Sequence, residues 1–261
     1  VRNAEQVRSV LRGSQAAVNL VGILRAAGKQ TFDAIHVDGA RNVASAAQAE
    51  QLSSLVHVSA IGADADATSD YARTKGTAEQ RVRELFPAAT ILRPSLVFGP
   101  EDNFFNRFAS MARFSPFLPL IGGGKTRFQP VYAGDVADAV VRSLTRRDCS
   151  GRTFELGGPK AYSFEELMRL TLETIGRRRF LVPLPWGLAL FLGAIFEKLP
   201  GAPLTRDQVK QLRQDNLPSG DFPGLEDLGI QPQTVEVTIP TYLDRYRRSG
   251  RAAGHLSPRT S

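Results

Sequence analysis

A chain of 261 residues with 42% hydrophobic and 23% charged side chains can bury a substantial core, and its composition lies far from that of a disordered chain. One cysteine, Cys149, excludes an internal disulfide framework and a cysteine-rich zinc site, and points to a reducing compartment. The net charge of +7 permits an acidic partner such as an anionic bilayer or a dinucleotide phosphate without requiring one.

In chain order, Val7, Val10 and Leu11 give Ala4–Arg12 a helical spacing that Gly13 ends. The run Ala16–Val21 is short, β-branched and nearly continuous, the pattern of a strand covered on both faces. Thr31–Ala49 reads as a helix with Phe32, Ile35, Val43 and Ala47 on one side, and Ser54–Ser59 repeats the buried-strand pattern. A helix is predicted after Tyr71, and Ala89–Leu92 is a third strand, halted at Arg93-Pro94 because the residue before proline avoids helical angles. This alternation predicts an α/β fold, a Rossmann-type doubly wound parallel sheet with right-handed crossovers. Further strands are expected at Thr126–Tyr132 and Thr153–Leu156, around a helix over Asp135–Leu144 that Asp135 caps. After Gly157-Gly158-Pro159 the pattern changes to helices and proline-containing loops. The division is therefore 1–157 for the sheet domain, 158–249 for a small, mostly helical lobe and 250–261 for a disordered, arginine-containing tail.

Phe180–Phe196 carries no charge, but it is short for a membrane span and holds Pro183 and Pro185. The favoured reading is a helix from near Pro185 packed within the small lobe. The alternative is an interfacial helix on an anionic membrane surface, with Arg177, Arg178 and Arg179 before it, Trp186 at its start and Lys198 after it.

Chemistry concentrates at Tyr71-Ala-Arg-Thr-Lys75. Residues four apart share a helix face, and a fixed cation beside a phenol favours the phenolate, which would make a general acid/base usable near neutral pH. By itself the spacing is more often a surface Tyr and Lys on an ordinary helix; its position after the strand ending in Ser59 favours the chemical meaning. Gly122-Gly123-Gly124-Lys125-Thr126 ends like a phosphate-binding loop, but Pro119 replaces the first required glycine and a strand follows, so it reads as a plain loop. His36, His57 and His255 show no metal-ligand spacing, and His57 reads as a packed or cofactor-side residue. Cys149 reads as a surface thiol in a polar loop. Dispersed arginines and the lack of a groove-reading motif argue against nucleic acid.

The segments VDGARNVASAA (37–47), the strand ending in Ser59, YARTK, ILRPSLVFGPED, FQPVYAGDVADAV and FELGGP, in that order, resemble the extended and atypical short-chain dehydrogenase/reductase superfamily over about two-thirds of the chain. Within it, FGPEDNFFNRFASM followed by FQPVYAGDVADAV is most similar to the NAD(P)H-binding accessory subunits of respiratory complex I and their bacterial relatives. The resemblance implies a dinucleotide cofactor, NADP(H) ahead of NAD(H). It places Tyr71 near the nicotinamide as the catalytic-type tyrosine, and Lys75 on the ribose, lowering the tyrosine pKa. Val21, Gly22 and Ser59 would face the cofactor, Arg93, Pro94 and Ser95 would close its nicotinamide end, and Asn42 would be structural.

Two departures bear on activity. Active extended members carry Ser or Thr two positions beyond the strand-ending serine, where this chain has Ile61. Loss of such a donor removes about 2.7–4 kcal/mol of transition-state stabilisation. Either Ser59 substitutes from a shifted position, or the site binds cofactor with little turnover; the second reading is favoured. The G-x-G-x-x-G-type turn that holds the pyrophosphate is also missing, so the natural N-terminus is expected upstream, leaving Ala16–Val21 as a fourth strand with a bare edge. The implied function is an accessory or assembly subunit-like protein with little turnover. It would contact complex I subunits or an anionic membrane, on the cytoplasmic side of a bacterial inner membrane or in the mitochondrial matrix. The alternative is an active NAD(P)-dependent oxidoreductase or nucleotide-sugar epimerase/dehydratase using Tyr71, Lys75 and Ser59.

Overall fold

The computed structural model describes residues 1–198 and 204–247; the tail expected at 250–261 and His255 lie outside the described residues. Helix α1 (Ala4–Leu11) starts at Asn3, whose side chain accepts the Gln6 amide, and ends before Gly13 at φ +75°. β1 (Ala16–Asn19) leads through a π-helical turn at Asp33–Val37 into α2 (Asp38–Ala49), β2 (Ser54–Val58), α3 (Asp70–Leu85) and β3 (Thr90–Pro94). Then come β4 (Val97–Phe98), α4 (Phe105–Phe114), β5 (Phe117–Ile121), β6 (Arg127–Phe128), β7 (Val131–Tyr132), α5 (Ala133–Thr145) and β8 (Thr153–Leu156). β9 (Tyr162–Ser163), α6 (Phe164–Thr174), β10 (Phe180–Leu184), α7 (Trp186–Phe196) and α8 (Arg206–Gln211) shape the remaining walls of the site.

β1, β2, β3 and β8 lie in that order in one parallel sheet. Successive residues point to opposite faces, so Leu55 packs with Ala44, Ala47, Ala78 and Val82 of α2 and α3, while Val56 packs with Leu92, Ala139 and Phe154 on the α5 side. Helices on both faces make the fold α/β and doubly wound, as the strand–helix alternation predicts. β1 is the sheet edge, paired with β2; Val18 within it and Leu20 and Val21 just after it are exposed, so this strand is not covered on both faces as its apolar run predicts. A second core gathers Phe105 of α4, Leu118 and Leu120 of β5, and Phe164, Leu167 and Met168 of α6. Residues 97–128 thus join this core although they precede Gly157 in the chain. β5 and β10 form a parallel pair within it.

Three expectations are corrected. Thr126–Tyr132 is no single strand: Pro130, without an amide hydrogen, separates β6, antiparallel to β9, from β7, parallel to β4, and neither joins the four-stranded sheet. Asp135 does not cap α5. Tyr132 occupies the cap, and the buried Asp135 carboxylate accepts the Gln233 amide at 2.8 Å. Cys149 is fully buried with Val131 and Phe154, because the turn Arg147–Cys149 folds inward beneath its polar neighbours. Gly122–Gly124 is a tight turn with φ of +63°, +73° and +73° leading towards β6, which agrees with the plain-loop reading. α7 begins at Trp186 after Pro185, where the sequence places it. Among the described residues no helix is long and apolar enough to cross a membrane.

Candidate functional site

A cavity of about 1080 Å³ opens beyond the C-terminal ends of β1, β2 and β3 and reaches into the second core. This is where open parallel sheets bind ligands, because loops diverge there and leave a crevice. Gly22, Ser59, Tyr71, Lys75, Pro94 and Ser95 all line it. Val21 and Arg93 do not line it. Val21 is exposed, while Arg93 donates to Glu79 at 2.7 and 2.9 Å and to Glu155 at 3.4 Å, a brace between α3, β3 and β8 that faces away from the cavity.

The position of α3 decides where Tyr71 and Lys75 stand. The Ser69 hydroxyl accepts the Ala72 amide, and Asp207 of α8 accepts the Asp70 amide at 2.6 Å, the Tyr71 amide at 3.2 Å and the Ser69 hydroxyl at 3.2 Å. A carboxylate at a helix N-terminus both satisfies free amides and complements the helix dipole. One turn on, a Cβ at Gly76 would lie 2.4 Å from the Ala65 nitrogen, so only glycine lets α3 rest on the 64–65 backbone. Neither Asp207 nor Gly76 stands out in the sequence as a site residue: the first acts across 137 residues, and the second carries no side chain to signal chemistry.

Lys75 Nζ donates to the Val58 carbonyl at 3.2 Å, and a Cβ on Gly22 would come within 3.2 Å of Nζ. Glycine at position 22 therefore keeps the space beside the ammonium open. Burial pulls the Lys75 pKa down to about 8, against a smaller opposing pull from Glu79. Burial also pushes the Tyr71 phenol up to about 12. The expected lowering of the tyrosine pKa by Lys75 is not found: burial beside Phe32 and His36 raises it instead. Tyr71 holds its proton at neutral pH.

Two histidines back this corner. His36 Nε2 accepts the Ile23 amide at 3.0 Å, and its Nδ1 lies 2.9 Å from the Thr74 hydroxyl, which itself donates to the Asp70 carbonyl. This network assigns the proton to Nδ1. The Asn19 amide accepts from Val21 and donates to His57 Nδ1 at 3.0 Å, assigning the His57 proton to Nε2, a buried atom without a hydrogen-bond partner. Burial, then the Lys75 charge, pulls His36 to about 4 and His57 to about 3, so both are neutral. The Ser59 hydroxyl is likewise buried and unpartnered, on the cavity wall itself. Ser95 is already engaged: its hydroxyl donates to Asn216. Ile61 presents a buried apolar side chain on the wall. Among the described residues no cluster of His, Cys, Asp or Glu could hold a metal ion.

Residues 1–157 match the NAD dependent epimerase/dehydratase family. The mitochondrial NADH dehydrogenase (ubiquinone) 1 alpha subcomplex subunit 9 of Mus musculus is 33% identical over 248 residues, 94% of this chain and 66% of that protein. The NADH-ubiquinone oxidoreductase 40 kDa subunit, mitochondrial, of Neurospora crassa is 28% identical over 95% of this chain and 65% of that protein. The chain thus spans just under two thirds of the length of these relatives. MoeE5, solved in complex with UDP-glucose and NAD, shares the fold with a TM-score of 0.71 at 17% identity, over 91% of this chain and 81% of its own.

Proposed function

The chain belongs to the NAD dependent epimerase/dehydratase family, and from that premise we propose that it is a dinucleotide-binding accessory subunit of a respiratory NADH dehydrogenase complex, favouring NADP(H) over NAD(H), with little turnover. The observation that carries the binding is the corner itself: a glycine that leaves room beside the Lys75 ammonium, next to a buried serine hydroxyl with no partner. Buried polar groups rarely go unsatisfied, so an unpaired hydroxyl on a cavity wall fits a ligand that completes it. Gly22, Ser59, Tyr71 and Lys75 would hold the nicotinamide end, and the dinucleotide, when bound, supplies hydride chemistry. Low turnover is supported by Ile61, which offers no hydroxyl to polarise a carbonyl. The names of the mitochondrial relatives support a partner among the subunits of an NADH dehydrogenase complex; the accessory role and a place on the matrix side, or its bacterial cytoplasmic equivalent, rest on the family resemblance. The preference for NADP(H) rests on the family resemblance. The small lobe supports a second contact, with an anionic membrane surface, through exposed Phe114, Phe117 and Phe180 beside Arg113 and Arg178.

The test uses the natural full-length protein: calorimetric titration with NADPH and with NADH, identification of nucleotide released on denaturation, and steady-state assays with ketone, aldehyde and nucleotide-sugar panels. The expected result is bound NADPH, an affinity lowered about tenfold or more by Lys75→Met, and negligible turnover. Turnover abolished by Tyr71→Phe would make the protein a working oxidoreductase and remove the accessory reading. Failure to bind either dinucleotide would remove both.

A further inference from the structure

We propose that the part of the cavity inside the second core is a binding site for the aliphatic chain of a single-chain amphiphile whose oxygen-bearing head reaches the Ser59 hydroxyl, beside the place of the nicotinamide. The polar end of this site rests on the reading of the corner as a nicotinamide pocket; the apolar end stands on its own walls. Beyond the strand tips the cavity is lined by Phe104 just before α4, Phe108 and Met111 within it, Phe164 of α6, and Leu192 and Phe196 of α7. These six side chains offer a sugar hydroxyl no partner, and polar groups enter the same cavity at Asn103, Arg107, Gln208, Gln211 and Asp215. The charge on the walls argues the same way. Away from the Lys75 corner, Arg107 and Lys210 stand against Glu101, Asp102 and Asp215, so the diphosphate of a second nucleotide would meet no excess of positive charge there. The space, about 1080 Å³ in all, exceeds what a nicotinamide ring fills and is contiguous from the tips into the lobe.

Helix α7 indicates the side from which such a chain arrives. Leu192 and Phe196 face the cavity, whereas Leu188, Phe191 and Ile195 are exposed at 48%, 62% and 46%. A helix at a protein–water boundary normally turns a polar face outward. α7 is apolar on both faces, which suits a wall between the cavity and a lipid phase. The head-group end is supplied by the Ser59 hydroxyl, 4% exposed and without a protein partner, on the same wall as the Lys75 ammonium.

The test uses the full-length protein and cis-parinaric acid, a fluorescent long-chain polyene acid, titrated with and without NADPH, with UDP-glucose as competitor. Phe108→Trp and, separately, Leu192→Trp fill the cavity without adding charge, and Val141→Gln on the exposed face of α5 serves as the surface control. The expected outcome is saturable binding weakened about tenfold or more by either filling variant, unchanged by Val141→Gln and not displaced by UDP-glucose, with NADPH affinity unchanged in all three. Probe binding that ignores both filling variants, or that UDP-glucose displaces, overturns the proposal while leaving the dinucleotide reading intact. Cavity-dependent probe binding without any NADPH binding sustains the chain site and removes the nicotinamide reading instead.

Discussion

Lys75 is the residue on which binding and stability pull in opposite directions. An unfolded lysine titrates near 10.4, whereas here burial holds the ammonium to about 8. Between those values the unfolded chain binds more protons than the folded one, so stability rises with pH across that window, and at pH 7 the buried charge carries its full cost, at most about 3 kcal/mol. Lys75→Met is therefore expected to raise the melting temperature at pH 7 by a few degrees while weakening dinucleotide binding; a lower melting temperature would mean that the bond to Val58 outweighs desolvation. The two neutral histidines act at acid pH. In the unfolded chain they take protons near 6.5, and in the fold only near 4 for His36 and 3 for His57. Their contribution is complete above about pH 6.5 and is lost as pH falls towards those lower values, by up to about 1.4 kcal/mol per pH unit for each imidazole. Urea midpoints measured from pH 7 to pH 4.5 should fall with acidification, and His57→Leu should flatten that slope whatever it does to stability at pH 7.

Helices and turns show what a sequence can and cannot disclose. The alternation of the apolar runs AAVN and SLVHV with amphipathic segments gives the parallel sheet; SLVHV is buried through its middle, whereas AAVN alternates and leaves Val18 exposed on the edge strand, so the expected cover on both faces holds for the inner strand and not for β1. The YxxxK spacing is equally legible, since one helix turn sets it. What positions that helix is not: Asp207 reaches α3 from a different lobe, and periodicity carries no information about such a partner. Asp207→Ala should cost about 1–2 kcal/mol by orphaning the Asp70 and Tyr71 amides, measurable by chemical denaturation. The triple glycine is a second case. Its sequence resembles a phosphate loop that the context excludes, and its actual role is to let Trp186 pack against the turn. A Cβ on Gly122 would fall 2.0 Å from the Trp186 ring, whereas one on Gly123 meets nothing within 4 Å. Both have positive φ, so the backbone penalty is shared, about 1–3 kcal/mol. Gly122→Ala should cost clearly more than Gly123→Ala and should also shift the emission of Trp186, the single tryptophan, which makes the two mutations distinguishable in one fluorescence melt.

At the scale of the molecule, two cores meet around one cavity, and linear reading misplaces material between them. Residues 97–128 look like part of the sheet domain because they precede Gly157, but their phenylalanines have no exposed sheet face to cover and collect with α6 and β10 instead. Cys149 is the reverse case, read as surface from its polar neighbours and found in the sheet core. This second core also leaves an unusual outer surface: Phe114, Phe117 and Phe180 are 81%, 56% and 71% exposed, with Phe117 and Phe180 stacked at 5.8 Å. Exposed aromatics beside basic groups suit the interface of an anionic bilayer, where rings enter the head-group layer and each nearby cation adds about 1 kcal/mol. Of the arginines at 177–179, Arg177 and Arg179 donate to the Tyr246 and Ala112 carbonyls, so reversing all three would disturb the lobe as well as its charge. Arg113→Glu with Arg178→Glu changes the surface charge and spares those two bonds. Co-sedimentation with phosphatidylserine-containing vesicles should therefore drop sharply in the double variant and, for the wild type, fall with added salt. Equal sedimentation of both proteins, or wild-type binding indifferent to salt and to anionic lipid, would assign the aromatic patch to a protein neighbour rather than a membrane.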